Sequence, residues 1–273
     1  MPRRAAIGAA LALLGATLFL APPLAAQITP QVTSRENPQV ARNRAADRRH
    51  FTDAEIVQGF LKIAFEAEMT ASGSIGRIRK YDGPVRVFVD SRIGPDRRKQ
   101  AAAIVSDIRA HVEHLDIAMA KQRPDANVVV TLVRDRDLGR TIARLYGREQ
   151  ARRILRSLEP QCLSSFSKDD NFRIQRSDVI IVGDAGDFIF RDCAYEEILQ
   201  SLGPINDDET VPWTMFNDDV QKGFFGIYDQ YLLNILYHPR IRPGMTRDEV
   251  LALIPEVLPQ VRAFVARVNA ISR

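Results

Sequence analysis

Along the chain, apolar residues fall at helical spacing in some stretches and alternate in others, and the two periods predict a mixture of helices and strands. Behind the capping box Thr52-x-x-Glu55, Ile56, Phe60, Ile63, Ala64 and Ala67 share one face. They predict a helix over 53–69, closed by Ser72-Gly73 and Gly76. Residues 75–79 read as a short strand. Residues 84–90 set Val85, Val87 and Val89 against Arg86, Phe88 and Asp90, the alternation of a half-buried strand. Gly94-Pro95-Asp96 opens a long helix with the stripe Ala101, Ile104, Val105, Ile108, Val112, Leu115 and Met119, ending before Pro124. A Val- and Thr-rich strand follows over 127–134, then a helix over 138–158. Residues 177–183 are apolar enough for a buried strand, and Gly183-Asp184-Ala185-Gly186-Asp187 is a turn. Helices are predicted over 188–202 and 224–236, the second closed by Pro239. Another capping box, Thr246-x-x-Glu249, opens a terminal helical region interrupted at Pro255 and Pro259.

Strands mix with helices up to Gly183, and beyond it the pattern is helix and loop. That predicts one α+β domain over 51–273: a small mixed sheet packed on a long helix, then further helices. Residues 27–50, with Pro30, Pro38 and five arginines but no periodicity, read as a flexible lead-in. The first 26 residues look like a signal peptide: Arg3-Arg4, an apolar run over 5–20, then Ala21-Pro22-Pro23-Leu24-Ala25-Ala26, with cleavage after Ala26. The expected location is therefore periplasmic or secreted. No later run is long enough to predict a transmembrane segment in the mature chain.

Charge and cysteine content sharpen this. The chain of 273 residues is 45% hydrophobic with a formal charge of +4, which drops to +2 without Arg3 and Arg4. So weak a balance argues against nucleic acid as a partner. In an oxidising compartment the two cysteines, Cys162 and Cys193, are expected to pair. The closed loop would contribute about 3 kcal/mol in the chain-entropy picture.

The richest stretch for chemistry is Cys193 to Asp207. Glu196 and Gln200 are four apart, so a helix places them on one face with Glu197 beside them. Gly203 can turn the chain at the helix end, bringing Asn206 and Asp207 back towards the helix. This spacing resembles the metzincin signature H-E-x-x-H-x-x-G-x-x-H/D of zincin-like metallopeptidases. The resemblance puts Glu196, Gln200 and Asn206 at the ligand positions, Glu197 at the general base and Gly203 at the turn. Trp213-Thr214-Met215-Phe216 is similar to the methionine turn, with Met215 expected beneath the Glu196/Gln200 face. The chain is closer still to a family of exported bacterial proteins with a domain of unknown function. That resemblance rests on Glu196 to Asp207, Phe216-Asn217-Asp218, Leu236-Tyr237-His238-Pro239 and Pro243-Gly244-Met245, and covers about 51–250.

The three imidazole positions of the metzincin pattern are Glu196, Gln200 and Asn206 here, and no HExxH occurs. Amide oxygens are poor zinc ligands. The expectation is a degenerate site without cofactor, in which Glu196, Gln200, Asn206 and Asp207 form a polar network. The alternative is a divalent cation, with an oxygen set that suits a hard ion such as calcium. The implied role is a non-catalytic zincin-like binding or scaffolding domain of the bacterial envelope, with an envelope protein or peptide as partner. The alternative is a divergent metal-dependent peptidase with Glu197 as base.

Other candidates are weaker. His111 and His114 stand at i, i+3 on the predicted long helix, and His238 precedes Pro239. Ser164, Ser165 and Ser167 lack a nucleophile elbow. Arg140, Arg144, Arg148, Arg152 and Arg156 recur every fourth residue, with Arg153 beside them, as a solvated face or a contact for an anionic surface.

Overall fold

The computed structural model describes residues 36–65, 76–91, 93, 96–157, 161–204 and 206–271. The expected signal peptide over 1–26, the predicted helix end over 66–69, the start of the strand predicted over 75–79, Gly94-Pro95 and Leu158 lie outside the described residues. The architecture is mixed α+β. A five-stranded sheet runs in the order β2-β1-β3-β5-β4, built from β1 (Val85–Ser91), β2 (Ile117–Met119), β3 (Val128–Val133), β4 (Cys162–Lys168) and β5 (Ile174–Val182). β1 pairs in parallel with β2 and β3, and β3 with β5; only β4, at the edge beside β5, is antiparallel.

Strand alternation divides the core into two. Val130, Leu132, Val179 and Ile181 face the main cluster, while Val133, Ile180 and Val182 face a smaller one on the other side. α2 (Asp53–Phe65) starts at the expected box: Thr52 N–H donates to Glu55 Oε2 at 2.7 Å and Glu55 N–H to Thr52 Oγ1 at 3.2 Å. Its Ile56, Phe60, Ile63 and Ala64 are buried. α3 (Arg98–His111) buries Ala101, Ile104, Val105 and Ile108.

Several elements differ from the sequence expectation. α3 ends at His111 rather than continuing through Met119. Val112 and Leu115 keep their buried positions in a connection, and 117–119 becomes β2 because the edge of β1 offers a backbone ladder. The single helix expected over 138–158 is two, α4 (Leu138–Tyr146) and α5 (Arg148–Ser157). Gly147 separates them with φ +84°, a conformation that glycine adopts without steric cost. β4 was not anticipated; its residues are mostly half-buried and carry no clear alternation.

The stretch 27–50 is not a flexible lead-in throughout. Residues Pro38–Ala46 form α1, capped by Asn37, whose side chain accepts from Gln39 N–H, and opened by Pro38. Val40 enters the core, and Asn43 donates to the carbonyls of Gln221 and Lys222. At the other end α8 (Arg247–Val268) runs on through Pro255 and Pro259 instead of breaking. Burial of Val250, Ile254, Val257, Leu258, Val261 and Val265 outweighs the backbone bonds that two prolines remove. Among the described residues, no helix is long and apolar enough to cross a membrane.

Candidate functional site

β5 leads through the Gly183–Gly186 bend into α6 (Asp187–Gln200). Cys193, mid-way along α6, is disulfide-bonded to Cys162 at the start of β4, with a Cα–Cα distance of 5.8 Å. The bridge fixes α6 against the antiparallel edge strand. At the end of α6 the chain turns at Gly203, with φ +139°. A Cβ there would lie 2.2 Å from the Arg79 carbonyl oxygen, so backbone conformation and close approach both require glycine.

Beyond the turn lies a polar network. Gln200 Nε2 donates to both oxygens of Asp207, at 2.8 and 3.0 Å, and Gln200 Oε1 accepts from the Ser164 hydroxyl of β4 at 3.3 Å. Glu196, Asp207 and Asp218 each offer a carboxylate oxygen within 4.8 Å of the others. Asp218 arrives through the loop after Gly203. Asn217 Nδ2 donates to the carbonyls of Glu209 and Val211, and Asp208 N–H donates to the Phe216 carbonyl, so the 208–218 segment closes on itself. Burial pushes the Glu196 carboxyl well above the ordinary carboxylate range, and Glu197, Asp207, Asp192 and Asp218 add repulsion. Burial also raises Glu197, to about 8, opposed by the Ser164 hydroxyl and assisted by Asp207 and Asp218. Glu197 is only 5% exposed, and its Oε2 has no hydrogen-bond partner among the described residues.

The structure therefore joins Glu196, Gln200 and Asp207, with Glu197 alongside, but not Asn206. The Asn206 amide turns away and donates to the Lys62 carbonyl at 3.3 Å. Asp218, from the loop beyond, completes the carboxylate cluster with Glu196 and Asp207. Its only signal in the sequence was the Phe-Asn-Asp segment, which marks the residue without saying where the loop returns.

Met215 is buried in the main core, and its N–H donates to Asp229 Oδ2 at 3.2 Å. Asp229 lies on α7 (Ile227–Tyr237), fully buried, and also accepts from Thr214 Oγ1 at 2.5 Å. Burial raises its pKa to about 6, against the pull of Lys222 and the two hydrogen bonds. Lys222 in turn pairs with Asp47 at 3.1 Å, tying the segment after α1 to this loop. This anchor for the 214–226 loop was not foreseen from spacing.

The histidines stand elsewhere. α3 stops at His111, which bonds Asp107, so His111 and His114 do not share a helix face. His114 instead meets His238 edge to face, with ring centroids 5.8 Å apart. Burial lowers the His238 pKa. Ser164, Ser165 and Ser167 all lie on β4, where Ser165 Oγ bonds the Tyr146 hydroxyl at 2.7 Å.

The donor set at α6 does not fit zinc: it contains no imidazole or thiolate, and both ends of Gln200 are engaged by the protein. Three converging carboxylates fit a hard divalent cation better. A family profile described as "Protein of unknown function (DUF2927)" matches residues 53–256. The chain belongs to the DUF2927 family. The matched span runs from the first residue of α2 into α8 and so contains the whole sheet, the Gly203 turn and the carboxylate cluster. No curated protein and no solved structure matches the chain significantly.

Proposed function

We propose that this DUF2927 protein is an exported, zincin-like binding or scaffolding domain of the bacterial envelope, with an active-site-type helix that serves as a structural clamp. The observation that carries this reading is the state of Gln200. Its carboxamide grips Asp207 with one end and receives Ser164 with the other, so the second ligand position of a zincin is occupied by the protein itself. Asn206, at the third position, bonds Lys62. Glu197, at the base position, is almost wholly buried, whereas a base acting on water needs access to it. The zincin-like fold is supported by the order of strand, long helix, strands and Glu-Glu-x-x-Gln helix over 84–202, with an antiparallel edge strand beside that helix. Export is supported by the leader-like first 26 residues and fits the disulfide.

A second reading draws on the convergence of Glu196, Asp207 and Asp218. It is a cation-dependent hydrolase, with those carboxylates holding a hard ion that would polarise the scissile group, and Glu197 as general base. Elemental analysis after native purification, together with a peptidase assay, separates the two. The clamp reading expects no stoichiometric metal and no activity above background. A stoichiometric metal, with activity abolished in a folded Glu197→Gln variant, would replace it by the hydrolase.

A further inference from the structure

We propose that the α4–α5 hairpin is a docking surface for anionic phospholipid headgroups. The hairpin is built to face two ways. Inward, Leu138, Ile142, Ala151 and Ile154 cover Val133, Ile180 and Val182 of the sheet. The Tyr146 hydroxyl fixes the hairpin to Ser165 of β4. Outward, Arg140, Arg144, Arg148, Arg152, Arg153 and Arg156 are all exposed. The break at Gly147 is what lets both short helices keep an apolar side on the sheet while the arginines cover their outer sides.

The charge is concentrated to an unusual degree. Residues 134–157 hold eight arginines against Asp135, Asp137 and Glu149, a surplus of five, whereas the full chain carries only +4. Arg140 is paired with Asp137 and Arg153 with Glu149. Arg144, Arg148, Arg152 and Arg156 have no ion pair among the described residues. Guanidinium groups left in this state suit bidentate contact with phosphate.

Apolar exposure decides between a lipid surface and a soluble polyanion. Among the described residues three large hydrophobic side chains are exposed, and two of them, Leu145 at 44% and Leu155 at 37%, belong to this hairpin. Leu155 reaches over Gly139 of α4, so it sits at the seam between the two helices. Leu145 stands at the exposed edge of the inward stripe of Leu138 and Ile142, and Leu155 beside Arg148 and Arg152, so a surface whose phosphates meet the cations and whose acyl boundary accepts these rim leucines matches the hairpin. A soluble polyanion offers the leucines nothing. The inference is independent of the α6 site and stands or falls without it.

The test is co-sedimentation of the purified exported chain with phosphatidylglycerol-rich vesicles and with pure phosphatidylcholine vesicles. The expected result is binding to the first only, weakened by salt. Arg152→Gln with Arg156→Gln should lower the partition coefficient about tenfold, and lysine at both positions should restore most of it. Leu145→Gln with Leu155→Gln should lower binding at low and high salt alike. Hydrogen exchange should slow in 138–157 when vesicles are added, which checks the site without any substitution. Absence of binding to phosphatidylglycerol, or binding indifferent to the arginine pair, would overturn the proposal. Binding indifferent to the leucines but competed away by polyphosphate would also overturn it, in favour of an acidic polymer.

Discussion

On one face of the sheet, α6, α7 and the loop between them bury acidic side chains; on the other, α4 and α5 leave arginines in water. All eleven residues of α7 are buried, and Asp192, Glu197 and Asp229 lie inside with raised pKa values. Each buried acid either holds a loop or strains against its neighbours. Asp192 accepts the N–H groups of Lys222 and Gly223, at 2.8 and 2.7 Å, and Asp229 accepts Thr214 and Met215. In the α4–α5 hairpin the ion pairs are local and exposed, joining residues three or four apart. The same charged residue types therefore carry different energies. Inside, removing one group strands several partners, whereas outside water replaces what is lost.

The largest effect should come from Asp229→Ala. It leaves the Thr214 hydroxyl and the Met215 N–H without an acceptor in a fully buried site, and removes a negative charge that attracts Lys222. A loss of about 3–5 kcal/mol in denaturant unfolding is expected; a loss below about 1 kcal/mol would show that the loop does not depend on this anchor.

Next comes the pH dependence of Glu197. Its folded pKa of about 8 lies above the ordinary 4.5, so the neutral carboxyl favours the folded state and that contribution is lost as pH rises from 4.5 to about 8. Glu197→Gln should be close to neutral at pH 5 and should stabilise by about 2–4 kcal/mol near pH 9, read from paired thermal melts. Equal effects at both pH values would mean that the carboxyl is ionised and partnered in the fold. The smallest effect belongs to the hairpin. Arg152→Gln with Arg156→Gln should move stability by no more than about 0.5 kcal/mol, because both side chains are exposed and neither has an ion pair among the described residues. A larger drop would place these arginines in the folding energetics rather than at a surface for partners.

The same contrast governs what could be read along the chain. The apolar alternation of β1, the capping boxes at Thr52 and Thr246, the Cys162–Cys193 pair and the Gly203 turn were legible because each depends on neighbours in sequence or on simple pairing. β4 was not, since Ser164 and Ser165 are half-buried, Ser167 is exposed, no alternation shows, and its pairing comes from β5. The split between α4 and α5 was hidden because the row of arginines at every fourth residue runs across Gly147 without interruption, and a lone glycine is tolerated inside a helix pattern. α1 carried the Asn37-Pro38 start signal, but the partner that orders it, the 221–223 backbone, is far away in sequence. In the site, helical spacing placed Glu196 beside Gln200, and the glycine turn brought back Asp207. It also put Asn206 in the network, where the structure has its amide on the Lys62 carbonyl, and it did not reach Asp218, which the closure of the 208–218 loop brings in.

The central claim is that Gln200 and Asp207 form a structural clamp rather than a ligand pair. A double-mutant cycle of Gln200→Leu and Asp207→Asn, followed by equilibrium unfolding with and without chelator, tests it most directly. The account predicts a coupling energy of about 1–3 kcal/mol that chelator leaves unchanged. A coupling near zero, or one that vanishes with chelator and returns with a single specific ion, would contradict it.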